Sequence, residues 1–462
     1  MIEAQGIPTV TLTRQDFVGV VKNAVSGAGF APDTAMVTFP IDVFLPGADL
    51  TALRNRKQEF YDGLTRWTAD ARKASDNPML SVSAATYEEA LEKANHLFIA
   101  HRWGDGLPLW PGTRKRVDWI LRGAALPRDH VIGKFPPRGG IATIESCAIA
   151  LAMAGGRPEY LPVLIAAVEA FLDPAAGSEN LQATSGAPFP VVIVNGPIAR
   201  QIKLNSGFGC LGPDPQHPAG ASIGRALRQM QQNLGGAVPG TGTMAIWGVM
   251  RYTNVVFAED EDGLPPGWPT HAAERHGYIA GTNSISLTFA TGAANIQRRG
   301  AGKETEQDDA EQGLHKIAGF MAAPHMHYLT GYERGTPGVI MISKTVAGSL
   351  ASLGWNKQKI REFLWQHSRI PMEQMRRVGG LGWITIAANA VARASIHLDP
   401  WPVTARAENI TLVVSGGGHP SHAQWLQGLS NGVIGRTITL PAGFDRLLAD
   451  AKRDAAGDQT PA

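Results

Sequence analysis

The 462-residue chain is 44% apolar and 18% charged, which excludes a disordered polymer, because such chains combine low hydrophobicity with high net charge. Its 42 Lys+Arg against 40 Asp+Glu leave a formal charge of +2 without a long basic run, so the electrostatic footprint of a nucleic-acid binder is missing. Two cysteines, Cys147 and Cys210, can build neither a disulfide framework nor a four-cysteine metal centre, and no apolar stretch reaches the 18 residues of a membrane span.

The opening MIEAQGIPTVTLTRQDF carries no basic-then-apolar leader, so a reducing, cytoplasmic location is expected. Ile7–Leu12 is predicted as a strand, with Thr13 capping a helix on which Phe17, Val20, Val21, Ala24 and Val25 repeat before Gly27 and Gly29 stop it. A second strand is expected over Ala35–Phe39. Strand, helix, strand predicts a parallel βαβ unit, an incomplete Rossmann-like N-terminal domain over residues 1–85, since two strands are too few for a stable sheet. A charged helix and linker is expected from Thr51 to about Asn77. A larger, irregular α/β domain then spans 86–455 in two lobes, 86–300 and 310–455. It opens with an amphipathic helix at 86–100 and a helix over Val117–Leu121. Two buried helices between Ala142 and Leu172 are divided by Gly155, Gly156 and Pro158. Further on come a buried strand over Pro190–Val194, a Gly/Pro loop at 204–222 feeding a helix to Leu234, and short strands and loops over 240–300. A charged, mobile segment is expected at 298–309, a helix from Asn356 to Pro371, a buried strand over Ile410–Val414 and a disordered tail over 456–462. No internal repeat is visible, and the overall class is α/β.

Chemistry concentrates in a few places. Around Cys210, residues Asn205, Ser206, Gly207, Gly209 and Gly212 let backbone amides approach a ligand, and the next helix could stabilise a thiolate or anion with its N-terminus; the plainer alternative is a small buried thiol among turn glycines. Glu145 stands alone in the apolar GGIATIESCAIALAMAGG, where desolvation would raise its pKa toward acid/base work; otherwise it is a first-turn carboxylate on a helix capped by Thr143. His325 and His327 form an HxH pair, a further acid/base or metal candidate, but without a nearby carboxylate or HExxH no metal requirement is expected. A buried strand runs into Gly416, Gly417 and Gly418, with His419, Ser421 and His422 expected at the start of a helix, an arrangement suited to a small anion or carboxylate. The two glycine loops and Glu145 are expected to share one pocket.

In order, WGDGLPLWPGT (103–113), ATIESCAIALAMAGGRPEYLPVLIAAVEAF (142–171), IVNGPIARQIKLNSGFGCLGP (193–213), ASIGRALRQ (221–229) and ITLVVSGGG (410–418) resemble the large bacterial proteins of the UGSC-like family over about 95–455. The resemblance extends to GIPTVTLTRQDF and the βαβ pattern, which look like the later part of that family's small domain. The Sec/Cys-Gly-Ser-Cys loop that precedes the equivalent strand in the family is not in this sequence, and Ala150 and Gly156 stand where the family pattern has Asn and Cys. Within the blocks, the resemblance adds Asp105, Asn195 and Arg225 as ligand-binding residues. It implies thiol- or selenol-linked chemistry on a small polar organic substrate, without a defined cofactor, in a homo-oligomer or with a second subunit that completes the N-terminal sheet. Two alternatives remain open: a non-redox hydrolase or lyase using Glu145 and the histidines, and a non-catalytic ligand-binding subunit.

Overall fold

The computed structural model describes residues 6–27, 30–31, 34–45, 47–66, 80–248, 254–298 and 305–456. Thr11–Arg14 (β1) pairs in parallel with Met36–Phe39 (β2) across the helix Val18–Gly27 (α1), giving the βαβ unit that the sequence predicts. Thr13 lies within β1 instead of capping α1. β1 and β2 pair only with each other among the described residues. Two helices follow, Thr51–Asn55 (α2) and Lys57–Arg66 (α3). Gly63 of α3 lies so near Val10 that a Cβ there would sit 2.1 Å from its Cγ2, so the close approach requires glycine.

The larger unit begins with Tyr87–His101 (α4), whose first turn is closed by the Thr86 hydroxyl accepting from Glu89 N–H. Arg114–Leu121 (α5) is capped by Thr113 in the same way. A hairpin of Val131–Phe135 (β3) and Gly140–Thr143 (β4) leads into Ile144–Met153 (α6), where Thr143 and Ser146 bond reciprocally to each other's backbone N–H. Leu161–Phe171 (α7) and Ser178–Ala183 (α8) precede Phe189–Asn195 (β5), a strand buried along its whole length. Next come Ile198–Gln201 (α9), Ala219–Asn233 (α10), Val255–Ala258 (β6) and His271–His276 (α11). Ser284–Gln297 (β7) is a 14-residue strand where sequence pattern predicted only short pieces.

Of the predicted mobile segment, 299–304 lies outside the described residues, while Thr305 and Asp308 form a capping box that starts Glu306–Met321 (α12). Gly338–Ile342 (β8), Lys344–Ser352 (α13) and Lys357–His367 (α14) follow. Arg369–Ile370 (β9) pairs with Trp401–Pro402 (β10) around three short helices, Met372–Arg377 (α15), Gly380–Ile386 (α16) and Ala390–Ala394 (α17). Thr411–Val414 (β11), His422–Gly428 (β12), Ile434–Thr437 (β13) and Phe444–Ala456 (α18) complete the fold. The predicted tail at 457–462 lies outside the described residues.

Seven strands form one mixed sheet in the order β11-β8-β12-β7-β5-β6, with β13 beside the first half of β7. Side chains alternate across it with period two. Val192, Val194, Val256 and Leu287 pack outward on α6, α7 and α10, whereas Ile340, Ile342, Leu412 and Trp425 pack outward under α12, α13 and α14. The opposite face is concave. There Phe189, Val191, Ile193, Phe257, Met341 and Val413 meet one another and Cys210. The sheet curls until its edge strands approach at one end, where Asp260 N–H donates to Val414 O at 2.8 Å. The strand order is a palindrome: β6-β5-β7 is mirrored by β11-β8-β12, each a parallel pair flanked by an antiparallel strand. Among the described residues no helix is long and apolar enough to cross a membrane.

Candidate functional site

Where β6 and β11 meet, two glycine-bearing loops come together. The first, 204–218, joins α9 to α10 and is stitched by Asn205. The Asn205 Oδ1 accepts from Gly207 N–H at 2.7 Å, and its Nδ2 donates to Phe208 O and to Asp214 Oδ2, both at 2.8 Å. Its amide is therefore spent on holding the loop, and it shapes the cleft without offering a spare donor. The second loop, 415–418, leaves the end of β11. Gly416 N–H donates to Ser206 O at 2.9 Å, and Gly417, at φ +83°, lies under the Phe208 ring, which a Cβ would meet at 2.9 Å. The Ser415 hydroxyl sits 2.9 Å from Ser206 O, 3.1 Å from Ala258 O and 3.5 Å from Cys210 Sγ.

The first loop runs into the helix that the sequence predicts, α10, but the second does not. The 415–418 loop turns into strand β12, so His419, Ser421 and His422 lie on its approach and first residue, because β7 and β8 offer open edges on both sides. Helix α10 starts nine residues after Cys210, behind Pro213, Pro215 and Pro218, so its N-terminus is not contiguous with the thiol. The helix at this site is α13. Its first N–H, that of Lys344, donates to Gly417 O at 3.2 Å, and the Thr345 hydroxyl donates to Gly418 O at 2.7 Å.

The ridge at Gly416–Gly417 separates two clefts. The larger, about 640 Å³, is bordered by Lys344, Lys203 and Arg200 together with Asp214, His217 and Asp260. His217 Nδ1 lies 2.6 Å from Asp214 Oδ2. That bond, followed by the one from Gln216 N–H, holds the Asp214 carboxyl below the usual carboxylate range. With Nδ1–H donated to the carboxylate, Nε2 is the imidazole nitrogen left to accept a proton. Lys344 makes no ion pair among the described residues, while Arg200 pairs with Asp262 at the rim. The smaller cleft, about 380 Å³, has Cys210 and Ser415 at its base and His419 and His422 at its mouth. There His419 Nδ1 is 3.0 Å from Ser421 Oγ, and His422 Nδ1 is 2.9 Å from Asn295 Oδ1.

No family model, curated protein or solved structure matches the chain.

Several residues singled out in the sequence lie elsewhere. Glu145 borders neither cleft: it is half-exposed at the start of α6 and pairs with Arg128, since the α6 N-terminus and its capping box point to the surface. It is thus not the desolvated carboxylate that the surrounding apolar sequence predicts. Asp105 and Arg225 find each other in a bidentate pair, at 2.7 and 2.9 Å, that ties the 103–113 segment to α10. Asn195, at the end of β5, donates to Glu259 and Glu261 at 2.8 Å, so it builds the strand-end network behind the cleft. His325 and His327 pack ring to ring at 5.2 Å, and burial, then the neighbouring His327, pushes His325 down to about 3. Among the described residues, no group of three or more His, Cys, Asp or Glu is placed to hold a metal ion. Cys147 is fully buried in the α6–α7 core, where burial pushes its thiol up.

Sequence reasoning passed over Asp214, His217, Lys344, Ser415, Glu259 and Lys357. The first two carried a local signal, because Asp and His three apart in a Pro-rich loop can bond within one turn. The others could be found only through the fold, since β6, β11, α13 and α14 bring them together from four distant segments.

Proposed function

We propose that this chain is an enzyme of the lyase or hydrolase type, which binds a small polar organic anion at the glycine ridge and moves a proton on it. The observation that carries this is the Asp214–His217 dyad, which lines the same cleft as Lys344. His217 Nε2 is the base: Asp214 fixes its tautomer and stabilises the imidazolium that forms when the proton is taken. Lys344 anchors a substrate carboxylate or steadies charge that develops on it, and the ridge glycines let the ligand approach the backbone. Sites of this kind lie outside strand ends where two loops diverge.

A second reading, thiol-linked chemistry as the resemblance to the UGSC-like family implies, is favoured by the 3.5 Å contact of Cys210 with Ser415 at the floor of the smaller cleft. A dithiol within the chain is ruled out by the burial of Cys147 in a different core, so a redox cycle would need a second thiol or selenol from a partner subunit or a small molecule.

Turnover of a panel of small hydroxy-, oxo- and aminocarboxylates tests both. Under the acid/base reading His217→Gln loses at least a hundredfold in kcat, the usual scale of general-base catalysis, while Cys210→Ser keeps most activity. The reverse pattern transfers the function to the thiol. Saturable binding without any turnover in the wild type would support a ligand-binding subunit instead.

A further inference from the structure

A second polar cavity, distinct from both clefts, opens beside the N-terminal end of β11. It holds about 330 Å³, and four arginines border it: Arg275 on α11, Arg361 on α14, and Arg334 and Arg406 on surface loops. The counter-charge there is smaller. Glu274 is engaged by Arg361, at 2.6 and 2.7 Å, Glu408 is the only other carboxylate on the wall among the described residues, and Glu333, off the wall, pairs with the exposed Arg334 at 3.4 Å. The Arg275 guanidinium donates to three backbone carbonyls, those of Glu408 at 3.0 Å, Arg334 at 3.1 Å and Gly335 at 3.4 Å. Those carbonyls fix the guanidinium fork in place without neutralising it. Burial, then the nearby Arg361 and Arg406, pushes Arg275 below its ordinary value, with Glu274 opposing the shift only in part, as expected where positive charge is in excess.

An independent feature points to a ligand. His271 and Thr411, each 2% exposed, line the same cavity, and among the described residues His271 Nε2 and Thr411 Oγ1 have no hydrogen-bond partner. Buried polar atoms are almost always satisfied, so two orphans on one wall mark a place where something else supplies the bond. Two deep guanidiniums, two exposed ones at the rim, a hydroxyl and an imidazole make a donor-rich lining.

We propose that this cavity is a binding site for a small multivalent oxyanion, of the phosphoryl or dicarboxylate kind, held by Arg275, Arg334, Arg361 and Arg406 with Thr411 and His271 completing its hydrogen bonds. The volume suits a compact headgroup rather than a nucleotide. The site stands apart from the proposed chemistry: its wall shares no residue with either cleft.

Isothermal titration of the full chain with inorganic phosphate, and separately with succinate, at fixed ionic strength tests this. Saturable binding of at least one of them is expected, and a preference between the two identifies the headgroup. Arg275→Gln should weaken it at least tenfold. The exposed pair Arg334→Gln/Arg406→Gln, whose loss leaves the interior untouched, should weaken it severalfold and so guards against a folding defect in the first variant. Arg453→Gln, on the remote helix α18, should change nothing. Absence of saturable binding up to 10 mM, roughly the weakest affinity that such a site could use, or affinity undiminished by both cavity variants, would overturn the assignment. So would binding abolished by Lys344→Gln and kept in Arg275→Gln, which would place the anion in the glycine-loop cleft.

Discussion

Lys357 and Glu259 form an ion pair at 3.0 Å with side chains 1% and 0% exposed. The pair couples helix α14 to the residue just after β6. Glu259 Oε2 also accepts from Asn195 Nδ2 at 2.8 Å and from His271 N–H at 2.6 Å. Replacing Lys357 by Met keeps the length of the stem and removes the charge, leaving a carboxylate buried beside neutral donors. Breaking one partner of a buried pair costs about 3–5 kcal/mol, and the two remaining donors place this case near the lower end, about 3 kcal/mol. Glu259→Gln alone should cost a similar amount, because it strands an ammonium instead. The double variant Lys357→Met/Glu259→Gln strands neither charge, so its loss should fall short of the sum by about 2 kcal/mol. Urea unfolding followed by far-UV circular dichroism, with the slope compared across the four proteins, measures the cycle. A loss below about 1 kcal/mol for Lys357→Met, or strict additivity, would mean that water or a rearranged side chain neutralises Glu259, and the account of the pair would be wrong.

Other perturbations separate strain, surface charge and protonation. Gly417→Ala and Gly416→Ala each force a side chain to a positive φ, at +83° and +96°, and each should cost about 1–2 kcal/mol in thermal unfolding. Because Phe208 is 69% exposed and can swing aside, the Gly417 variant should exceed the other by under about 1 kcal/mol; a much larger excess would show that Phe208 is pinned. Glu145→Gln should leave turnover intact and cost below about 1 kcal/mol, since Glu145 and Arg128 are 40% and 48% exposed; a large loss of kcat would restore Glu145 to the chemistry. Burial depresses His276 to about 4 and His325 to about 3. The unfolded chain binds these protons first, so their contribution is complete above about 6.5 and is lost as pH falls from there toward the folded values. His325→Phe should flatten the decline in unfolding free energy between pH 6.5 and 4, and an unchanged slope would show that His325 titrates normally.

The sequence shows local features well and distant ones poorly. Thr143 and the apolar stretches on either side of Gly155 define α6 and α7, because capping and helical periodicity act within a few residues. The all-buried β5 and β11 are equally plain as short apolar runs. β7 was lost among short pieces, since its second half, from Gly292, is polar on the face that β12 leaves open, and the alternation that marks a strand fades there. Helix α12 was masked by the charged residues before it, although Thr305 and Asp308 spelled out its cap. Glu145 misled for a related reason: a carboxylate in an apolar segment is desolvated only if its own position faces inward, and position two of α6 faces out.

The palindromic sheet explains why the cleft lies where it does, although no sequence repeat announces it. Glu259 N–H donates to Val194 O at the end of β6, and Ser415 N–H donates to Ile342 O at the end of β11, at 3.1 and 2.9 Å. These are equivalent bonds in the two halves, one residue beyond equivalent strands. The side chains that follow are unlike, and each is latched by the other half. Glu259 turns to Lys357, from the segment between β8 and β11, while Ser415 turns to Ser206 and Cys210, from the segment between β5 and β6. One half thus spends a buried ion pair to secure its strand end and the other a hydroxyl beside a thiol. Chemical difference between the halves accumulates at the point where the backbone is most alike, and the larger cleft at that point is lined by Lys344 and Asp260 beside the Asp214–His217 pair. Under the proposed function, an asymmetric small anion would take a single orientation in such a crevice, which a symmetric pair of loops would not impose.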